Sequence, residues 1–213
     1  MSADAADERI PVQFYFDYIC PFCYVGSERL DRLVARYPVA VQYRFVEIHP
    51  DNPPEGRPLS ELGYPPAQWQ QMMRGLRAMA EEDALPLAER TFTTNSRRAI
   101  LLAQTVLEHR PAAFHALHRA LFRAYFVDAL NIGDPEVLQS LAIRHDVADL
   151  LTTAWETREP MQRFLEHVEA ARRLGLTGVP TLVVGARAFP GAVALETLEA
   201  ALEHEGVRPL AEK

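Results

Sequence analysis

The first strong pattern along the chain is a short apolar run, Val12 to Phe16, dense in β-branched and aromatic residues and closed by Asp17. That composition predicts a buried strand. A helix follows. Pro21 suits its first turn, where a missing N–H has no intrahelical partner to lose. Val25, Leu30, Leu33 and Val34 then recur at helical spacing until Tyr37-Pro38 ends the run. Val39 to Ile48 predicts a second strand, with Val41, Tyr43 and Phe45 alternating against Gln42, Arg44 and Val46. His49 to Pro58 holds four prolines and a glycine, so it reads as a connection and not as sheet.

From about Leu59 to Glu159 the periodicity is helical. Trp69, Met72, Met73, Leu76 and Met79 make one amphipathic run, and Asn95 or Ser96 is placed to cap a helix carrying Ile100, Ala103 and Leu107. Pro111 opens another helix, with Phe114, Leu117, Leu121 and Tyr125 on one face. Asp134-Pro135 reads as a capping residue followed by a first-turn proline. A helix from Pro160 stops at Gly175. Strand signals then return: Thr181 to Val184, a turn at Gly185, and Arg187 to Phe189 as the returning arm of a hairpin. Leu195, Leu198 and Leu202 mark a closing helix.

The order is β-α-β, a block of helices, then α-β-β-α. Neither flank buries its apolar faces alone, so both must pair strands in one sheet. The expected organisation is an α/β domain built from residues 10–58 and 160–205, interrupted by a helical insertion over 59–159.

Composition narrows the function classes. The 213 residues are 48% hydrophobic and 24% charged, which suits an ordinary globular protein. No apolar run approaches the ~18 residues of a membrane span. A formal charge of −7 repels phosphate backbones and argues against nucleic-acid binding. Met1 to Arg9 is acidic and Ala/Ser-rich, without the basic and apolar regions of a secretory leader, which predicts a cytoplasmic protein.

Only two cysteines occur, in Cys20-Pro21-Phe22-Cys23. So short a loop gains little as a structural staple, and in an intracellular protein beside a strand the spacing reads as a redox motif. A zinc site needs two further ligands. The seven histidines are scattered, and His49, His109, His115, His118 and His145 read best as satisfied surface or core residues. No metal is expected.

The stretch Phe14-Tyr15-Phe16-Asp17-Tyr18-Ile19-Cys20-Pro21-Phe22-Cys23-Tyr24 resembles the opening strand and active-site turn of the DsbA-like branch of the thioredoxin superfamily, and is most similar to its cytosolic FrnE-like members. Pro50-Asp51, Asn95-Ser96-Arg97-Arg98-Ala99, Gly178-Val179-Pro180 and Gly191-Ala192 agree with it, so the resemblance runs from about Ile10 to Glu203. It implies a thioredoxin-like fold with a large helical insertion and a cis peptide before Pro180, lying against the cysteine pair. The implied activity is thiol–disulfide exchange.

That chemistry needs an attacking thiolate and a second sulfur to resolve the mixed disulfide. Cys20 precedes the helix, whose free first-turn N–H groups favour a thiolate there; Cys23, one turn in, is expected to be less exposed. Asp17 is placed to exchange a proton with Cys23, or more simply to cap the turn. Pro21 and Phe22 between the cysteines, with Val179 and Pro180, are the expected substrate-facing residues, the Val179 amide and carbonyl being free to pair with an extended segment.

DsbA-type oxidants typically carry His where this chain has Phe22. Phe22 offers neither charge nor donor, so a more reducing couple is expected, and with it reductase or isomerase work on thiol- or disulfide-bearing proteins or small molecules. No cofactor is implied, although glutathione fits as a co-substrate.

Two alternatives remain. Kappa-class glutathione transferases and 2-hydroxychromene-2-carboxylate isomerases share the fold but typically carry serine at the position of Cys20. A non-catalytic chaperone or metal-buffering protein would merely hold the two thiols. The Trp69–Met79 run reads as helical core or as a soft peptide-binding patch, Arg97 and Arg98 as solvated or paired with acidic neighbours, and the 49–58 connection as a spacer.

Overall fold

A computed structural model describes residues 9–211. The reading of Met1 to Glu8 as a non-leader segment falls outside them. Strand β1 (Ile10–Phe16) lies at the middle of a four-stranded sheet, flanked by β2 (Val39–Phe45) and β5 (Thr181–Val184), with β6 (Arg187–Pro190) at the far edge. β1 runs parallel to β2, pairing Ile10 with Val39 through Phe16 with Phe45. It runs antiparallel to β5, where Tyr15 pairs with Thr181 and Val12 with Val184. The two ends of the chain therefore share one sheet, as their unshielded apolar faces require. Helix α1 (Pro21–Arg36) makes the β1–β2 crossover, and α8 (Leu195–His204) packs beside it.

Between β2 and the returning strands come six helices: α2 (Pro66–Glu82), α3 (Arg97–His109), α4 (Pro111–Phe126), α5 (Pro135–Arg144), α6 (Leu151–Glu156) and α7 (Glu159–Arg173). Asp134 caps α5 by accepting from the Glu136 N–H at 2.8 Å. At the start of α3 the capping atom belongs to Asn95, whose Oδ1 accepts from the Arg97 N–H at 3.0 Å, while Ser96 makes no cap bond. α7 stops before Gly175, which takes φ +65°, a left-handed conformation that suits glycine.

Two local expectations are corrected. The second strand ends at Phe45 and not at Ile48, because the Ile48 N–H is taken by the Asp17 carboxylate at 2.8 Å. The 49–58 connection is more than a spacer: Arg57–Pro58 (β3) pairs with Phe92–Thr93 (β4) in a two-stranded ribbon. Asn52 is buried there and donates to Thr93 Oγ1 and the Thr94 carbonyl.

One hydrophobic core runs through the sheet and the inserted helices. Phe14, Phe16 and Phe45 from the strands join Leu102, Leu117, Leu121 and Phe122 from α3 and α4 without a break. Contiguity of this kind makes the insertion part of the platform that holds the β1–α1 turn.

Candidate active site

The site is built where β1 ends. Asp17 closes the strand, its carbonyl accepts from the Cys20 N–H at 3.2 Å, and Cys20 takes the capping position of α1 with extended backbone angles. Pro21 occupies the first turn as the sequence predicts. The Cys20 carbonyl accepts from the N–H groups of Cys23 and Tyr24 at 3.0 and 3.3 Å, which places Cys23 one turn into the helix. No acidic residue stands in that turn to oppose a thiolate.

Both cysteines are free thiols. Cys20 is 4% exposed and Cys23 not at all. The order of exposure matches expectation. The degree suits exchange, which calls for an accessible sulfur, less readily, because Cys20 is nearly enclosed by the core that the turn sits on. Burial pushes the Cys23 thiol well above its ordinary range; the Cys20 sulfur beside it acts the same way, and a backbone bond from Asp17 partly opposes both.

The peptide between Val179 and Pro180 is cis. Cys20 Sγ lies 3.6 Å from the Val179 carbonyl oxygen, so the loop before β5 closes directly over the amino end of α1. Pro180 also reaches the second turn of that helix: a methyl group on Gly26 would sit 3.4 Å from the Pro180 ring. Two bonds fix the loop, Gly191 N–H to the Pro180 carbonyl at 2.7 Å and Thr181 Oγ1 to the Gly178 carbonyl at 2.8 Å. The Val179 carbonyl is thus engaged with Cys20, and no described residue accepts from its N–H.

Asp17 is fully buried and accepts from Ile19 N–H at 3.2 Å and Ile48 N–H at 2.8 Å. Burial raises its pKa to about 7; those two amides hold it lower than burial alone would, and Glu47 pushes it up. The capping role holds at Ile19.

Phe22 is partly buried beside the cysteine-bearing turn. It packs with Met73, Met79 and Leu85 against Val25, Leu76 and Ala192, so α2 lies alongside the active-site helix. Leu76 is core, while Trp69, Met72, Met73 and Met79 are half-buried. Arg97 pairs with Glu47 at 2.6 Å. Among the described residues no three His, Cys, Asp or Glu side chains are grouped to hold a metal ion, and no helix is long and apolar enough to cross a membrane.

Sequence reasoning missed one part of the surroundings. His118 bonds Tyr18 and Ser27 on either side of the cysteine motif. Its partners stand 100 and 91 residues away, and spacing along the chain carries no signal for such a contact.

A βαβ–ββα sheet, an interrupting helical block and a Cys-x-x-Cys facing a cis-proline loop define a thioredoxin-fold protein with a helical insertion. The chain belongs to the family of DsbA-like thioredoxin domains, which matches residues 11–203. It is 25% identical over 201 residues to YwbO of Bacillus subtilis, covering 92% of this chain and 97% of that protein. In three dimensions it is similar to SCO1869 from Streptomyces coelicolor, described as a probable DsbA oxidoreductase. The TM-score there is 0.80 at 25% identity, with 96% and 94% of the two chains covered. A 2-hydroxychromene-2-carboxylate isomerase structure shares the fold at a TM-score of 0.74 and 20% identity, covering 92% and 96%.

Proposed function

We propose that this chain is a thiol–disulfide oxidoreductase working as a reductase or isomerase, with Cys20 attacking and Cys23 resolving. The observation that carries this reading is the placement of the Cys20 sulfur at the amino end of α1, 3.6 Å from the Val179 carbonyl. A thiolate there sits at the positive end of the α1 dipole, where the Phe22 N–H is the first-turn amide left without a described partner.

In the reductive direction the Cys20 thiolate attacks one sulfur of a substrate disulfide. The mixed disulfide forms, and the departing substrate thiolate takes up a proton. Cys23 then gives its proton to the Asp17 carboxylate and attacks Cys20 Sγ, releasing the second substrate thiol. The substrate gains two electrons and the enzyme ends as the Cys20–Cys23 disulfide, which a thiol such as glutathione returns to the dithiol. Asp17, with a pKa of about 7, ionises in the pH range where it can accept that proton.

The narrow access to Cys20 favours small disulfides and extended segments over folded surfaces. Such a segment can lie along Val179, whose N–H is free to pair with it, with Pro21 and Phe22 beside it. The scarcity of cysteine, two in 213 residues, suits a reducing compartment such as the cytoplasm.

The isomerase-like structural neighbour supports a second reading, glutathione-dependent isomerase or transferase chemistry. It is the weaker one, because those relatives typically carry serine where this chain retains a thiol. Insulin reduction in the presence of glutathione separates the two. Wild type is expected to turn over and Cys20→Ser to lose all reduction; a Cys20→Ser variant that still reduces insulin overturns the proposal.

A further inference from the structure

His118 is fully buried on α4, yet nothing in the exchange chemistry uses it. Its Nδ1 lies 2.9 Å from the Tyr18 hydroxyl and its Nε2 lies 2.9 Å from the Ser27 hydroxyl. Phe16, Tyr43, Phe114 and Phe122 enclose the ring, with centroids 5.1–5.3 Å away. With both nitrogens occupied it has no lone pair to offer a metal. Desolvation lowers its pKa to about 3, so the ring stays neutral, with one N–H, across the working pH range. A neutral imidazole has one donor and one acceptor nitrogen, so it can serve two hydroxyls only by accepting from one and donating to the other.

Those hydroxyls stand on both sides of the dithiol. Tyr18 lies in the strand-to-helix turn two residues before Cys20, and Ser27 lies on α1 one turn beyond Cys23. The ring therefore ties the turn to the helix body from a third element, α4, which belongs to the inserted helices. Stabilisation of a thiolate by a helix terminus depends on that turn staying fixed, since the effect falls off within the first turn.

We propose that His118 is a positioning residue for disulfide exchange. By bonding Tyr18 and Ser27 together it fixes Cys20 against the amino end of α1 and so sets the dithiol–disulfide equilibrium. The inference rests on the thiol–disulfide reading given above. A satisfied core histidine with no such role would change global stability alone.

The test is the equilibrium constant of the full chain in glutathione redox buffers, measured beside the thermal unfolding midpoint. In folded His118→Phe the equilibrium is expected to move toward the disulfide by about threefold or more, the scale of one lost hydrogen bond. Tyr18→Phe and Ser27→Ala each remove one bond at little cost in volume and are expected to move it the same way by less. His118→Gln keeps a donor and an acceptor and is expected to stay within about twofold of wild type. If His118→Phe does not fold, the Tyr18 and Ser27 variants decide. Constants unmoved, or moved toward the dithiol, while only the midpoints fall, overturn this proposal alone. A wild-type chain that never equilibrates with glutathione overturns the underlying reading, and this inference with it.

Discussion

Cys20 Sγ and the Val179 carbonyl oxygen meet at 3.6 Å although the residues are 159 apart in sequence. Strand pairing causes the meeting. Tyr15 opposite Thr181 fixes the register of β1 against β5, so the residues just beyond each, the Cys20 turn and the Val179-Pro180 loop, arrive at the same end of the sheet. A one-residue slip would exchange the side chains of β5 between its two buried faces, where Leu182 and Val184 join the main core and Val183 packs with Tyr15 and Ala171.

Gly26 tests how closely that loop must approach. An alanine methyl would meet Pro180 and Phe14 at 3.4–3.6 Å, which is ordinary contact. Gly26→Ala is therefore expected to keep full activity and gain up to about 1 kcal/mol from better helix propensity. Gly26→Leu drives the larger side chain into Pro180 and should cut the insulin-reduction rate by about tenfold or more if the loop has to hold within about an ångström of its place. Rates for the two variants check this, alanine near wild type and leucine far below.

Asp17 predicts a definite dependence on pH. Its folded pKa of about 7 lies above the ordinary 3.8, so the folded chain holds a proton that the unfolded chain has lost. Stability is then full below about pH 4, falls as pH rises through the gap, and levels off above 7. The cost at pH 8 is of the order of 4 kcal/mol at most. Asp17→Asn is expected to abolish the fall in urea midpoint that wild type shows between about pH 4 and pH 8, and to lie below wild type at pH 4, because its amide nitrogen cannot accept a backbone N–H as the second carboxylate oxygen does. The same variant should slow disulfide reduction and lose the part of the rate profile that rises near pH 7.

Phe22 bears on the direction of the couple. The ring packs against Val25, Leu76 and Ala192 and brings no donor to the sulfurs. Phe22→His puts a nitrogen donor, and below neutral pH a charge, where the thiolate forms. The equilibrium with glutathione is expected to shift toward the dithiol by about tenfold, making the protein a stronger oxidant. An unchanged constant would remove Phe22 from the account of the potential.

A buried ion pair joins α1 to the end of α2. Arg29 Nε bonds Asp83 at 2.7 Å, Arg32 takes the other carboxylate oxygen at 2.6 Å, and Arg29 also donates to the Ala192 carbonyl. Asp83→Ala leaves the buried Arg29 guanidinium with only the exposed Glu82 carboxylate, 3.2 Å away, and should cost up to about 3–5 kcal/mol. Urea unfolding of the variant measures this directly, and a midpoint shift worth under about 1 kcal/mol would mean that water reaches Arg29.

Local chemistry explains what was readable beforehand. The β1 run, Pro21 at the head of α1, the Asp134 cap and the stop before Gly175 all follow from neighbours in sequence, and each stands where its residues put it. Contacts made across the fold were hidden. The β3–β4 ribbon joins two-residue segments 36 positions apart at Arg57 and Thr93, one of them containing proline, and neither has strand character alone. The end of β2 depends on Asp17 capturing the Ile48 amide. The near-enclosure of Cys20 and the Tyr18–His118–Ser27 bridge likewise arise only when the inserted helices close on the turn.

The division of labour between the two sulfurs is tested most directly by mass spectrometry after incubation with glutathione disulfide. Cys23→Ser is expected to accumulate one glutathione on Cys20, because no second sulfur remains to release it, while Cys20→Ser stays unmodified. Modification of Cys23 in the Cys20→Ser protein, with none on Cys20 in its counterpart, would contradict the assignment.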